Sequence, residues 1–496
     1  MLGVRPLRIV MVSSEVESLA RTGGLGDVVE ALSLALAARG AHVLVVTPRY
    51  GVTRMPRTTS RWPNPIAIRH GWGDAEVRNA GVVELEPARF ESGGIRRICL
   101  VDDPGLYERN GIYGDQYGAF GDNELRFAVM SRGALEIAAR VWEGGPDIIH
   151  AHDWHASFAI LYARYVMGDH WAKKPSIFTV HNLAFQGVID EAALERLHVP
   201  RHAFVPEILL HHGSVNLLKG ATALATRIST VSPTYAREIL TPEGGFGLDE
   251  HLRAHQDRLV GILNGIDYLR FDPKTDKSLA CRYDIGTADE GRAECKAALA
   301  AEVGLDAGDG PLFGCVTRLT WQKGVDMLVP LLGELVERGG RFLIVGQGDD
   351  DQQRSLQIAA ERFKGRVAVR LVFDPPLSRR VYSGTDFLFV PSRFEPCGLT
   401  QLYAMRYGSI PIVTDVGGLH DTVEQLDVVN NRGTGFIAAQ PDFGPIRGAT
   451  LRAFDLYRDR QVLHRASTRA MAKDFSWDDP ASRYDALYRA ASDTLG

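Results

Sequence analysis

The chain has 496 residues, of which 45% are hydrophobic and 24% are charged, and its formal net charge is −5. This length is too great for one hydrophobic core, so two or three domains are expected. The slightly acidic balance excludes a broadly basic nucleic-acid-binding protein and gives no reason to expect a membrane surface as partner. The positive charge for an anionic ligand must therefore be local to its site.

The cysteines and the N-terminal residues favour a cytoplasmic protein. The cysteines are scattered without C-x-x-C or metal-ligand spacing, which is typical of free thiols in a reducing compartment: Cys99, Cys281, Cys295, Cys315 and Cys397. The sequence enters an apolar run at residues 7–12 without the basic and apolar regions of a signal peptide. No stretch approaches the roughly 18 apolar residues of a membrane span.

The N-terminal half predicts an α/β domain with a parallel sheet. Residues 7–12 read as a strand, 22–27 as a glycine loop, 28–39 as a helix and 42–47 as a second strand. Residues 51–125 are rich in Gly, Pro and Arg, and we expect long loops with some β structure. Further buried strands are predicted at residues 98–101, 148–150, 177–181 and 228–231.

A second alternation of strands and helices begins near residue 311, after a charged, surface-like stretch at 272–310. Strands are predicted at residues 312–317, 342–345, 367–373, 387–390 and 410–413. Helices are predicted at residues 325–338, 377–383, 398–407 and 419–424. This pattern predicts a second doubly wound domain, divided from the first near residue 260. A ligand cleft is expected between the domains, at the carboxyl ends of the strands.

The first glycine loop has the sequence Arg21-Thr22-Gly23-Gly24-Leu25-Gly26-Asp27. Glycines after a strand let backbone amides approach an anion, and the helix that follows adds its positive end. A simple structural turn would give the same pattern, and the spacing does not match the G-x-G-x-x-G dinucleotide motif. Both interpretations stay open for the loop alone.

Two later segments carry charge at strand ends. Arg318 and Lys323 follow one strand and precede a helix, and together they suit a diphosphate, although a solvated basic loop is the alternative. Glu395 lies in the tract Arg393-Phe394-Glu395-Pro396-Cys397-Gly398-Leu399, between a strand and a helix. There a carboxylate can accept hydrogen bonds from sugar hydroxyls, and the amides at the helix start can face an anion.

Histidines and aspartates form three further segments. His150-Ala151-His152-Asp153-Trp154-His155 has metal-ligand residue types, but side chains alternate faces along a strand, which argues against a shared ion. His181 follows another buried strand and could bond a substrate hydroxyl or be a structural histidine. For Asp349-Asp350-Asp351 we favour a solvated loop over a metal site.

In this order, the segments resemble the bacterial glycogen synthases and plant starch synthases, members of the GT-B glycosyltransferases. The resemblance runs over nearly the whole chain and also includes Asp122–Phe127, Ser232–Ala236 and Asp415–Leu419. It implies two Rossmann-like doubly wound domains facing a deep interdomain cleft. The implied bounds are an acceptor-side domain at 1–258, a donor-side domain at 259–472, and a C-terminal helix at 473–496 crossing back to the first.

The resemblance also implies the activity. It is retaining transfer of glucose from ADP-glucose to the non-reducing end of an α-1,4-glucan, with glycogen or a malto-oligosaccharide as acceptor. No cofactor, metal, nucleic acid or membrane partner is expected. A related enzyme that uses glucose-1-phosphate as acceptor, a catalytically dead glucan-binding homologue and a sugar epimerase of the same shape are the alternatives. The sequence leaves the choice between ADP-glucose and UDP-glucose open.

Residue roles follow from the resemblance. Arg318 and Lys323 are implied to hold the donor diphosphate, Glu395 to contact the transferred glucose, and His181 to bond that glucose with its carbonyl near the anomeric carbon. Asp153 resembles the acceptor-side aspartate. Donor contacts are further implied for Arg21, Gly23, Gly24, Asn264, Phe373, Cys397, Gly398, Leu399 and Thr400.

Two positions depart from the family pattern. Arg21 stands where the family usually has lysine, which keeps the charge and changes its geometry. Phe373 stands where the family often has a tyrosine stacked on the nucleotide base, so stacking is retained and the hydroxyl is lost.

Overall fold

The computed structural model describes residues 5–70 and 76–493. By its internal contacts the chain divides into two compact units. Unit 1 comprises residues 5–231, 236–265 and 477–493 of the described chain, and unit 2 comprises Ser232–Tyr235 and Ile266–Ser476. The domain bounds given above remain a prediction, and their outermost residues, 1–4 and 494–496, lie outside the described part.

The first part of the chain alternates strands and helices. Its strands are β1 (Arg8–Val12), β2 (His42–Pro48), β3 (Thr59–Arg61), β4 (Ile66–His70), β5 (Glu76–Leu85), β6 (Ala88–Arg89), β7 (Ile95–Asp102), β8 (Gly114–Asp115), β9 (Gly118–Ala119), β10 (Ile148–His152), β11 (Ser176–Val180), β12 (Val188–Ile189), β13 (Leu210–His211), β14 (Ser214–Asn216), β15 (Arg227–Thr230) and β16 (Leu259–Gly261). Its helices are α1 (Gly24–Ala38), α2 (Pro104–Tyr107), α3 (Asn123–Val141), α4 (Ser157–Tyr165), α5 (Asp169–Ala172), α6 (Ala193–Arg196), α7 (Leu217–Leu224), α8 (Pro233–Glu238) and α9 (Asp249–Ala254).

The second part repeats the alternation. Its strands are β17 (Leu312–Val316), β18 (Arg341–Val345), β19 (Val367–Arg370), β20 (Phe387–Val390), β21 (Ile410–Thr414) and β22 (Phe436–Ala438). Its helices are α10 (Ala288–Glu302), α11 (Leu332–Glu337), α12 (Asp350–Arg362), α13 (Pro375–Gly384), α14 (Thr400–Arg406), α15 (Gly417–Thr422), α16 (Phe443–Arg458) and α17 (Arg460–Ala472). The last helix, α18 (Asp478–Asp493), belongs to unit 1.

The main sheet of unit 1 has the order β16-β15-β11-β10-β1-β2-β7-β5-β3. From β16 to β7 neighbouring strands are parallel, and β1, β10 and β11 are almost wholly buried. Parallel strands covered on both faces read as continuous apolar runs, which is why these strands stand out in the sequence. One buried cluster joins this sheet to α1 and α18, with Ile9, Leu32, Tyr484 and Tyr488 among its members.

Residues 51–125 form more regular structure than long loops. β4 pairs with β5, and β5 pairs with β7, in antiparallel register, so the sheet gains an antiparallel edge. These strands are only partly covered and carry many charged residues, so their apolar runs are interrupted. A prediction that depends on continuous apolar runs does not detect strands that are interrupted in this way.

Unit 2 is built on a parallel sheet of order β19-β18-β17-β20-β21-β22. Two buried clusters cover its two faces. One contains Leu299, Leu343 and Val381, and the other contains Phe313, Ile344 and Phe454. The predicted helix at 325–338 is instead two 3₁₀ turns, Val325–Met327 and Val329–Leu331, followed by the short α11. Pro330 lacks an amide hydrogen, which accounts for this interruption.

In both sheets the loops at the carboxyl ends of parallel strands lie at one edge. This arrangement places the chemistry-bearing loops of each unit together within that unit. Asp349 is the N-cap of α12 and the other two aspartates of the acidic run begin that helix, all three exposed. Carboxylates are favoured in a first helical turn by the helix dipole, which gives them a structural role. None of the described helices is both long and apolar enough to cross a bilayer.

Candidate active site

Glu395 and Lys323 form the centre of the candidate site in unit 2. Lys323 Nζ donates to Oε2 of Glu395 at 2.5 Å, and the Ser392 hydroxyl donates to the same oxygen at 2.8 Å. Only 17% of the Lys323 side chain and 8% of the Glu395 side chain are exposed. Leaving either charge alone in such surroundings would be costly, so the pair holds its geometry. An ammonium and a carboxylate are thereby fixed beyond the ends of β17 and β20.

Arg393 ties the turn that carries Lys323 to the turn that carries Glu395. Its guanidinium donates to both carboxylate oxygens of Asp326, at 2.8 and 2.7 Å, and to the Trp321 carbonyl at 2.7 Å. The bond from Arg393 lowers the pKa of Asp326, so the bidentate ion pair persists at neutral pH. The same guanidinium lies 4.8 Å from the centre of the Trp321 ring. The two turns are therefore one rigid assembly.

Backbone contacts fix the loop after Glu395. The Gly418 amide donates to the Glu395 carbonyl at 3.0 Å, and a Cβ at Gly418 would lie only 2.1 Å from the Cys397 carbonyl oxygen. Gly398 has a φ of +70°, which favours glycine. The Gln401 side chain donates to the carbonyls of Cys397 and Gly398 at 3.1 and 2.9 Å. The constrained turn expected from the sequence is present, and both glycines in it are required.

The remaining residues of unit 2 predicted to contact the donor are Arg318, Phe373, Leu399 and Thr400. Arg318 follows β17, is exposed, and makes no ion pair with any residue in the described ranges. Phe373 follows β19 and is 65% exposed, as a stacking surface for a ligand must be. Leu399 is the N-cap of α14, and Thr400 is its first residue. Arg318 thus retains a cation available to a ligand, whereas the charge of Lys323 is shared with Glu395.

Asp153 organises the site in unit 1. It follows β10 with a φ of +56°, which is uncommon for a residue with a side chain and is enriched at functional sites. Its Oδ1 accepts hydrogen bonds from the backbone amides of His181 at 2.7 Å and of Asn182 at 3.4 Å. Burial raises the pKa of Asp153 to about 7, while these two amide bonds act to lower it. The carboxylate thereby fixes the backbone of the neighbouring strand end.

His181 follows β11 and is partly exposed. Its Nε2 lies 3.0 Å from Nδ1 of His152, the last residue of β10. Burial lowers the pKa of His181 to about 3, so its imidazole is neutral at physiological pH. A neutral imidazole has one donor and one acceptor nitrogen, which suits a hydrogen bond with a sugar hydroxyl.

The glycine loop after β1 is held by a carboxylate of the chain itself. Glu15 accepts hydrogen bonds from the amides of Thr22 and Gly23, at 2.7 and 3.1 Å, and from the Thr22 hydroxyl at 3.0 Å. The Tyr113 hydroxyl donates to the same carboxylate at 2.6 Å. The Gly23 amide therefore already has an anionic partner, whereas Gly24 is exposed at the start of α1.

Arg21 is paired within the loop. Its guanidinium donates to both carboxylate oxygens of Asp27, at 2.6 and 2.7 Å, and lies 3.6 Å from Glu17. Asn264, predicted as a sugar contact, is 6% exposed, and its side-chain oxygen has no hydrogen-bond partner among the described residues. The two positions contrast, since the guanidinium of Arg21 is engaged by Asp27 and the side-chain oxygen of Asn264 has no partner in the described part of the chain.

Within their own units, the structure brings Asp153 into contact with His181 and Lys323 into contact with Glu395. Sequence reasoning missed the parts played by Glu15, Ser392 and His152. A serine-serine-glutamate run directly after β1 was the available signal for Glu15. In the described ranges, histidine, cysteine and carboxylate side chains form no group of three that could hold a metal ion.

The chain matches two family descriptions in succession. Residues 8–254 match the starch synthase catalytic domain, and residues 301–463 match the glycosyl transferases of group 1. The first match contains Asp153 and His181, and the second contains Lys323 and Glu395. Each half of the candidate site therefore lies in a separately recognised segment.

Relatives cover the chain almost completely. A glycogen synthase of Anaeromyxobacter dehalogenans is 41% identical over 488 residues, which span 97% of this chain and 99% of the relative. A glycogen synthase of Myxococcus xanthus is 40% identical over 488 residues, with the same coverage. The catalytic domain of starch synthase IV from Arabidopsis thaliana, solved with ADP and acarbose bound, superposes with a TM-score of 0.89. It is 32% identical, and the match covers 99% of this chain and 100% of that one.

These matches confirm the predicted fold, family and enzyme class. Identity of about 40% over nearly the full length of both chains, together with the GT-B likeness, leaves no long segment unaccounted for. The chain is a hexosyltransferase that belongs to the family of the glycogen synthases and starch synthases.

Proposed function

We propose that the protein transfers glucose from ADP-glucose to the non-reducing end of an α-1,4-glucan, with retention of configuration. The observation that carries the proposal is the Lys323–Glu395 pair together with Arg318, which follows the same strand as Lys323, is exposed, and makes no ion pair with a described residue. Two cations after β17 and a carboxylate after β20 suit a substrate with a diphosphate at one end and sugar hydroxyls at the other. Donor identity is supported by the relatives, which are named as glycogen synthases, and by the neighbour solved with ADP.

The chemistry requires one bond to break and one to form on the same face of the sugar. The bond between the anomeric carbon and the diphosphate breaks, and the acceptor 4-hydroxyl oxygen bonds to that carbon. The 4-hydroxyl proton passes to the departing phosphate oxygen, so no carboxylate nucleophile is needed. Arg318 and Lys323 stabilise the phosphate charge, and Glu395 with the His181 carbonyl stabilises the oxocarbenium-like transition state. This is electrostatic preorganisation.

Acceptor recognition is assigned to unit 1. Asp153 has a buried carboxyl whose Oδ1 holds the His181 amide. We assign it to the acceptor glucan because carboxyl oxygens bind sugar hydroxyls. The same contact positions the His181 carbonyl that the transition state uses. We further propose that the reaction needs no metal ion, since lysine and arginine supply the charge, and that it takes place in the cytoplasm, where the five free cysteines fit.

Nucleoside diphosphate release tests the proposal. The purified protein is incubated with either ADP-glucose or UDP-glucose and with either glycogen or glucose-1-phosphate as acceptor, with and without EDTA. We expect ADP release that depends on glycogen, exceeds UDP release, and is unchanged by EDTA. Nucleoside diphosphate release with glucose-1-phosphate but not with glycogen would show that glucose-1-phosphate is the acceptor. Tight glycogen binding without release of nucleoside diphosphate would show that the protein is not a catalyst. Loss of activity in EDTA would overturn the metal-independent mechanism alone.

A further inference from the structure

We propose that His152 is a positioning residue that fixes the tautomer of His181, so that His181 presents a protonated Nδ1 to the donor sugar. The proposal rests on the proposed function for the identity of the substrate. His152 itself does not contact substrate in this account, since it is fully buried at the end of β10. It acts only through the imidazole of His181.

The two rings share one hydrogen bond. Nδ1 of His152 and Nε2 of His181 are 3.0 Å apart, and the ring centres are 5.3 Å apart. Burial holds the pKa of both imidazoles well below the usual value, so both are neutral. One nitrogen of the pair therefore donates and the other accepts. The tautomer of one ring determines that of the other.

The remaining nitrogen of His152 decides between the two arrangements. Its Nε2 is buried and has no hydrogen-bond partner among the described residues. If His181 were the donor, His152 would carry its proton on this Nε2 and bury an N–H without an acceptor. Unpaired buried N–H groups are among the rarest features of native proteins, and unpaired acceptors are better tolerated. His152 is therefore the donor, through Nδ1.

The consequence for His181 is direct. Its Nε2 accepts from His152, so its own proton is on Nδ1. Among the described residues Nδ1 of His181 has no hydrogen-bond partner, and the side chain is partly exposed. A neutral donor is thereby offered to a ligand oxygen, whereas the opposite tautomer would offer an acceptor.

A second histidine keeps His152 in place. The ring of His150 lies against that of His152, with centres 4.0 Å apart. His150 is held on both sides, by the Tyr488 hydroxyl of α18 at 2.8 Å and by Thr179 Oγ1 at 2.6 Å. Thr179 Oγ1 is in turn 2.6 Å from the Ser229 hydroxyl. This fully bonded neighbour leaves the His152 ring little freedom to turn away from His181.

The backbone and side chain of His181 are thus fixed independently. Asp153 holds its amide, and His152 holds its ring. Both contacts cross from the end of β10 to the end of β11. The arrangement resembles a catalytic histidine oriented by a partner on its other nitrogen, except that the partner here is a neutral donor.

Nitrogen NMR tests the tautomer without reference to activity. In protein labelled with ¹⁵N-histidine, we expect the His181 signals to show Nδ1 protonated and Nε2 unprotonated, assigned by loss in His181→Gln. In His152→Leu we expect exchange between the two tautomers. His155→Leu is the matched control, because His155 is in the same segment, is similarly buried, and has no hydrogen bond to His181. A wild-type His181 protonated on Nε2 would overturn the proposal.

Steady-state kinetics test the consequence. His152→Asn retains an N–H donor near the position of Nδ1, whereas His152→Leu removes it. We expect His152→Leu to lose about tenfold to a hundredfold in kcat/KM for ADP-glucose, the usual range for a residue that orients a functional group, with the KM for glycogen unchanged. His152→Asn is expected to recover most of that loss. If His152→Leu and His152→Asn fold alike, as judged by circular dichroism and thermal melting, and lose kcat/KM equally, the donor role of His152 is contradicted. Absence of ADP release by the wild type would instead reject the proposed function, and the NMR result would remain valid.

Discussion

Lys323 and Glu395 are 72 residues apart in the sequence and their charged groups are 2.5 Å apart in the fold. The parallel pairing of β17 with β20 brings their loops to one sheet edge, and Arg393 braces the two turns. An ammonium group that can bind a phosphate and a carboxylate that can bind sugar hydroxyls are thus held side by side. This relationship makes the contribution of each residue separable by mutation.

Lys323→Ala is expected to lower kcat by about 10²–10³, because a charge-assisted donor to the departing phosphate is lost and Glu395 loses its counter-charge. The measurement is ADP release at saturating ADP-glucose and glycogen. Lys473→Ala is the control, since Lys473 forms an exposed ion pair with Glu424 and is expected to leave the rate unchanged. If Lys323→Ala has activity close to that of the wild type, Lys323 does not stabilise the departing phosphate.

Glu395→Ala and Cys397→Ser separate side-chain from backbone contributions. Glu395 acts through its carboxylate, so its removal is expected to cost at least about 10² in kcat. The structure engages the Cys397 backbone, whose carbonyl accepts from Gln401, so the serine variant is expected to keep activity within about tenfold. Comparable losses of kcat in the two variants, measured in the same assay, would show that the Cys397 thiol itself takes part in the reaction.

Gly418→Ala is expected to displace the loop that holds Glu395. The new Cβ would lie 2.1 Å from the Cys397 carbonyl oxygen, and backbone on both sides must shift to admit it. We expect a loss of about 1–3 kcal/mol in unfolding free energy, by urea denaturation, together with reduced kcat. Gly444→Ala is the control, because a Cβ there meets no atom within 4 Å and lies in α16. Wild-type stability and rate in Gly418→Ala would mean that the loop is looser than described.

Asp153 makes stability depend on pH in a defined direction. Burial raises its folded-state pKa to about 7 from the ordinary 3.8, so the folded chain keeps a proton that the unfolded chain releases. Its contribution to unfolding free energy therefore falls as pH rises from about 4 to about 7, by at most about 1.4 kcal/mol per pH unit. The buried neutral histidines act in the opposite sense below about pH 6.5, because unfolding lets them take up protons.

The comparison of wild type with Asp153→Asn isolates that group. Urea denaturation at pH 5.0 and pH 7.5 should show the variant gaining stability relative to the wild type at the higher pH. The histidine contributions are common to both proteins and cancel. An unchanged difference between the two pH values would mean that the folded-state pKa of Asp153 lies below about 5, so that burial does not raise it as described.

Much of the fold could be predicted because its strands are buried on both faces. Runs such as Ile177–Val180 are continuously apolar or small, and polar residues bound this one, Ser176 before it and His181 after it. The antiparallel edge formed by β4 and β5 was predicted only as some β structure among long loops, since half-exposed strands carry charges at alternate positions. The interruption at Pro330 could have been anticipated, because proline in a predicted helix interior removes a backbone donor.

The place of a candidate residue after a buried strand could be predicted where it stands in a recognisable tract, as Glu395 and His181 do, and their roles stay predictions. The partners that another strand or loop contributes to these residues could not be predicted from the sequence. Glu15 meets Tyr113 across 98 positions, and His152 meets His181 across 29. Such contacts depend on strand order and register, which a single sequence leaves undetermined at the level of individual atoms.

The place of α18 in unit 1 has a consequence for how the chain acquires its structure. Trp477, Tyr484 and Tyr488 complete the same buried cluster as Ile9 and Leu32, although the whole of unit 2 is translated in between. During synthesis unit 2 can leave the ribosome and fold while unit 1 still lacks these aromatic side chains. Pulse proteolysis of stalled nascent chains would then find the first unit still sensitive to cleavage after the second has become resistant.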